Sequence, residues 1–245
     1  EHNDESGSVD EQAYMKKLTS DVRVVSIVHT SPVTGMTVDL DKITKEIRNV
    51  VPDCIIIVDG IQHSSHGAID VQKYDIDGYV VSPYKMFSRH GYGVAWASDR
   101  LCTLKKEQLA DGPSQNWELG TRDAGSYATF SDVVDYLDWL GSNFTESENT
   151  RERLEASSLA IKSHEQELVD LVLNGAKDIV GLRNNKEIRI IGTSDSKFRE
   201  GIVSFFQKNK PSSIIVEELR LRKIRVHIRK DDHYCGNILR PLNQK

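Results

Sequence analysis

Four apolar runs punctuate the first hundred positions, at residues 22–29, 54–59, 78–82 and 93–98. The first is rich in β-branched residues (Val22, Val24, Val25, Ile27, Val28), and the second is unbroken until it closes on Asp59. Runs of this length, separated by connections long enough to cross over, read as strands of a parallel sheet covered on both faces. The first run empties into Thr30-Ser31-Pro32-Val33-Thr34-Gly35, a turn by composition. Residues 39–47 then repeat apolar positions at helical spacing, with acids in the first turn. Strand and helix alternate, which predicts a doubly wound α/β domain. Ahead of this, residues 1–10 read as a loop, with Asp10 as an N-cap for the helix EQAYMKKL.

Beyond Asp99 the chain turns polar and irregular. Residues 129–140 form a helical pattern with Val133, Val134, Leu137 and Leu140 on one side, stopped by Gly141. The polar stretch 143–149 marks a boundary. A long helix over 150–174 ends at Asn174-Gly175. Residues 187–192, 201–206 and 223–229 read as strands, with Pro211 opening a helix between the last two. The expected organisation is therefore one domain over 1–144 and a smaller α/β domain over 145–245.

Composition narrows the function classes. A net charge of −5, with 28% charged residues of both signs, gives no reason to expect nucleic acid or an anionic membrane as partner. No apolar run approaches the roughly 20 residues that span a bilayer. The acidic, polar start does not resemble a secretory signal, so the Asn143-Phe144-Thr145 sequon reads as chance. Three widely spaced cysteines, Cys54, Cys102 and Cys235, argue against a disulfide framework and for a cytoplasmic setting.

The chemistry concentrates at two strand ends. Parallel sheets hold ligands at the carboxyl ends of their strands, where Asp59 and Lys85 fall. Pyridoxal phosphate needs a lysine amine to attach to and a carboxylate for its ring nitrogen. His63, His66 and His90 lie nearby without metal-ligand spacing and read as loop histidines with at most a substrate-side role.

Several pieces in one order carry a specific resemblance. These are Asp59-Gly60-Ile61-Gln62, Ala68-Ile69-Asp70, Ser82-Pro83-Tyr84-Lys85 and Gly91-Tyr92-Gly93-Val94, with 26 positions from Asp59 to Lys85. Together they resemble the cofactor site of the class V aminotransferase superfamily, on the branch of cysteine desulfurases and isopenicillin N epimerases. The resemblance implies a fold type I, aspartate aminotransferase-like large domain with a smaller C-terminal domain. It also implies pyridoxal 5'-phosphate as cofactor, an amino acid as substrate, and a homodimer.

By the same resemblance Lys85 would be the Schiff-base lysine and general base. Asp59 would face the pyridinium nitrogen, and Gln62 would donate to the phenolate oxygen. Ser82 and Tyr84 would hold the phosphate. Thr121, in Glu118-Leu119-Gly120-Thr121, would reach the phosphate of the partner subunit. Cys235 has two readings, a persulfide-carrying nucleophile as in desulfurases or a small buried residue. Pro32 stands where the family often carries an asparagine.

The family's N-terminal phosphate-cradling turn and its substrate arginine have no counterpart between Glu1 and Lys245. The alternative is therefore a shortened, non-catalytic homologue that serves as a binding or scaffold module.

Overall fold

The computed structural model describes residues 11–242 except 114, 115, 118, 122, 194, 196 and 197. The readings placed on Asp10 and Glu118 lie outside the described residues. Along the chain run α1 (Glu11–Met15), β1 (Val24–Val28), α2 (Leu40–Val50), β2 (Ile55–Asp59), β3 (Gly78–Val81), β4 (Val94–Ala97), α3 (Asp99–Cys102), α4 (Ala124–Gly141) and α5 (Thr150–Asn174). A short hairpin follows as β5 (Gly175–Ala176) and β6 (Ile179–Val180), then β7 (Ile188–Ile191), β8 (Ser204–Gln207), α6 (Ser212–Leu221) and α7 (Gly236–Leu239). The chain divides into two compact units, one holding Leu18–His29 and Asp39–Ile161, the other the stretch up to Lys17, Thr30–Val38 and everything from Lys162.

In the unit built on Asp39–Ile161 the sheet order is β1-β2-β3-β4. β1, β2 and β3 run parallel, and β4 pairs antiparallel with β3. The α/β class with a mainly parallel sheet is thus observed. α2 carries the crossover from β1 to β2. Its N-cap is Asp39, whose carboxylate accepts the Lys42 amide, and it buries Leu40, Ile43, Thr44 and Ile47 at i, i+3, i+4, i+7.

β2 has Ile56 and Val58 fully buried. β1, however, is open on one face. Val25 and Ile27 are buried while Val24 is 59% and Val28 47% exposed, so the expectation of cover on both faces fails at this edge strand. A run of valines records apolarity, not what packs on it.

The entry to β3 carries an ionic cluster that the hydrophobic pattern did not reveal. Asp77, 2% exposed, accepts from Arg48 at 2.9 Å, from Arg100 at 2.7 and 2.5 Å, and from the Ile56 amide at 2.9 Å. Burial alone pushes its carboxyl upward. The Arg100 and Arg48 guanidiniums and the Ile56 amide outweigh that and hold it at about 2. Arg48 and Arg100 also donate to the Cys54 carbonyl, tying α2, β2 and α3 together.

Two helix ends differ from expectation. α4 begins at Ala124, five residues before the anticipated start, because Asp123 caps it by accepting the Ser126 amide. Its last residue, Gly141, does not end it by a left-handed turn, and Ser142 is the C-cap. The glycine is there for proximity: a Cβ at Gly141 would lie 1.9 Å from the Arg153 carbonyl oxygen of α5. Gly141→Ala is expected to destabilise the protein by about 3 kcal/mol, the upper part of the overpacking range, because a backbone atom cannot swing aside. Urea unfolding of the two proteins checks it. Gly175, by contrast, does end α5 at φ +82°, as expected of a glycine after Asn174.

In the other unit β7 and β8 pair antiparallel, and α6 starts after Pro211. Arg199 is 2% exposed and donates to the carbonyls of Thr34, Ile191, Thr193 and Ile202. Burial pulls its pKa down to about 10. It thereby fastens the segment Thr30–Val38 to residues 191–202.

Residues 223–229, expected as a strand, pair with no strand in the described structure. The segment 225–229 instead lines a cavity of about 400 Å³ together with Phe205, Phe206 and Leu219, while Ile224 and Ile228 stay 49% and 37% exposed, so the alternation marks no covered face. No described helix is long and apolar enough to cross a membrane.

Candidate functional site

The carboxyl ends of β1, β2 and β3 meet through their backbones. The His29 amide donates to the Asp59 carbonyl and the Gly60 amide to the Val80 carbonyl, both at 2.9 Å. This fixes the position of Asp59, whose Oδ1 accepts the Ile61 amide at 3.0 Å. Gly60 is needed because the Tyr79 ring passes so close that a Cβ would lie 2.1 Å from it.

Beneath the turn, His29 and His63 stack at 3.6 Å, and His29 Nδ1 shares a hydrogen bond of 2.8 Å with the Tyr79 hydroxyl. All three rings are buried. They form a floor that the sequence reading missed. The one available signal was Gly60 beside an acid at a strand end, a mark of close approach.

β3 delivers the chain through Ser82 into a 310 turn, Pro83–Lys85, closed by the Lys85 amide donating to the Ser82 carbonyl at 3.0 Å. Pro83 is fully buried and presets the turn. Lys85 is thereby aimed back across the strand ends, and its Nζ donates to Gln62 Oε1 at 2.8 Å. The other end of that amide meets His66 Nε2 at 2.9 Å. Two residues on, Phe87 sits at φ +67°, a strained conformation for a bulky side chain. Tyr84 stacks on His90 at 4.3 Å and is 41% exposed.

Asp59, Gln62, Ser82 and Lys85 therefore share one end of the sheet, with Lys85 and Gln62 in direct contact. Thr121 is exposed and lines a separate cavity with Gly91, Tyr92, Gly93 and Ser126. Cys235 belongs to the other unit, where it is 2% exposed in an apolar cluster with Val33, Ile191, Ile238, Leu239 and Leu242. That is the packing of a small buried residue. Among the described residues, no group of three or more His, Cys, Asp or Glu is arranged to hold a metal ion.

Comparison with known proteins bears on the family and the fold. A probable cysteine desulfurase from Mycoplasma genitalium is 30% identical over 89 residues, 36% of this chain and 22% of that protein. An aminotransferase-like protein from Gibberella zeae is 26% identical over 215 residues, 85% of this chain and 48% of that protein. The chain thus spans from about a fifth to about half the length of these curated relatives. Among solved structures, the apo cysteine desulfurase of Thermococcus onnurineus superposes with a TM-score of 0.75 at 21% identity, covering 100% of this chain and 58% of that one. That likeness establishes the fold. The family model described as aminotransferase class-V matches residues 2–244, and the chain belongs to that family.

Proposed function

We propose that this chain is the portion of a pyridoxal-phosphate-dependent enzyme that attaches the cofactor and acts on an amino acid. The observation that carries the reading is the contact of Lys85 Nζ with Gln62 at the strand ends where Asp59 also lies. These residues fit the group: a primary amine, a carboxylate fixed by a backbone amide, and a side-chain amide within reach of both a cation and a ligand oxygen. When bound, pyridoxal phosphate supplies an electron sink for bonds to the substrate's α-carbon.

The chain's own residues supply the rest. Lys85 would provide the attachment amine, and its Nζ would hold or move a proton. Asp59 places a carboxylate at the end of β2, where it would face the cofactor's ring nitrogen. Gln62 orients Lys85 and offers an N–H to a ligand oxygen. Ser82 and Tyr84, flanking the buried Pro83, are the phosphate-side groups. The family resemblance supports a homodimer in which Thr121 contributes to the partner's site.

The test is titration of the protein with pyridoxal phosphate, followed by borohydride reduction and peptide mapping. A visible band with the label on Lys85 is expected. Label scattered over surface lysines overturns the proposal.

A further inference from the structure

We infer that His66 is a positioning residue for Lys85, acting through the Gln62 amide. The inference rests on the reading of Lys85 as the attachment site. The directions of the two hydrogen bonds are set by chemistry. An ammonium has only donors, so the atom facing Lys85 Nζ at 2.8 Å must be the amide oxygen of Gln62. The amide nitrogen then faces His66 at 2.9 Å, and an amide nitrogen does not accept. His66 Nε2 is therefore the acceptor, and the ring is neutral with its proton on Nδ1.

The backbone places His66 for this task. Gln62 precedes the 310 turn His63–Ser65, and His66 closes it by donating its amide to the His63 carbonyl at 2.9 Å. The turn sits on the stacked His29–His63 pair, and Gly67 keeps clear of the His63 ring, to which a Cβ would come within 2.7 Å. His66 also shares a small cavity with Met86 and Phe87, the two residues after Lys85. The Lys85 ammonium already selects the amide oxygen, and the His66 acceptor reinforces that choice from the other end, so that the Gln62 amide is held at both its oxygen and its nitrogen. With His66 in place, one amide hydrogen is held and the second stays available to a ligand oxygen.

The experiment compares wild type, His66→Leu and His66→Gln. Glutamine keeps an acceptor close to the position of Nε2, and leucine does not. In the cofactor-free protein, the rate of Lys85 acetylation by acetic anhydride at fixed pH is read by mass spectrometry. It is expected to rise about fivefold in His66→Leu, the loss of one hydrogen bond, and to return to within about twofold of wild type in His66→Gln. Affinity for pyridoxal phosphate, from spectral titration, is expected to fall about fivefold in the leucine variant and to recover with glutamine. A leucine variant that matches wild type in either measurement overturns the inference, as does a glutamine variant that behaves like leucine. If wild type takes no pyridoxal phosphate on Lys85, the functional reading fails, and the acetylation rates alone decide whether His66 positions the amine.

Discussion

Asp77→Asn is expected to lower the unfolding free energy by about 3–5 kcal/mol, the cost of breaking a buried ion pair from one side. Whole domains are stable by only about 5–15 kcal/mol, so the loss is large. Arg48 and Arg100 would keep their charges, and the new amide N–H₂ would face either a guanidinium or the Ile56 amide, all of them donors. Replacing Asp77, Arg48 and Arg100 together with apolar residues should cost less than Asp77→Asn alone, since no charge is then left uncompensated. Equilibrium urea unfolding of the two variants checks the ranking.

The same carboxylate predicts a pH dependence. Its folded pKa, about 2, lies below the ordinary value of 3.8, so the stability it contributes is complete above about pH 4 and is lost as pH falls toward 2. The contribution is about 2 kcal/mol, from a shift of nearly two units. Wild type should therefore show an acid-side loss of stability in this window that Asp77→Asn lacks.

Asp59→Asn is expected to weaken pyridoxal phosphate binding about 100-fold, or about 3 kcal/mol, the range for removing one partner of an enclosed charge pair. Asparagine keeps an oxygen for the Ile61 amide, so the turn that carries Gln62 should survive and far-UV circular dichroism should not change. Titration of the visible band measures the affinity. An unchanged value would remove the pyridinium partner from the proposed site and leave Lys85 and Gln62 to be explained otherwise.

Much of this site could be read before the fold was seen because its parts are local. A strand that ends in an acid, a proline that presets a turn and a lysine two residues later lie within short stretches, and their order carries the family pattern. The aromatic floor was not legible. His29, His63 and Tyr79 come from three separate segments, and nothing in the one-dimensional pattern brings their rings together.

Asp77 was hidden for a similar reason. An acid before a glycine reads as a turn, and only the approach of Arg48 from α2 and Arg100 from α3 makes it a buried anchor. The misread strand at 223–229 shows the converse limit. A two-residue period describes side-chain character alone, whereas a strand also needs a neighbour for its backbone. Gly141 was legible as a glycine near a helix end, but its reason, the backbone of α5 against its α-hydrogens, depends on packing.

Arg199 has a consequence for synthesis. The carbonyl of Thr34 that it caps lies 165 positions earlier in the chain. At roughly 5–20 residues per second, a ribosome needs about 10–30 s to deliver the partner of that carbonyl. Throughout this interval the stretch Thr30–Val38 is outside the tunnel with its buried threonines and Val33 uncovered. The strands that flank it in sequence, by contrast, can pair as soon as β2 emerges. The unit that contains Arg199 must therefore fold last, around a loop made among the first, and this wait is when the nascent chain most needs a chaperone.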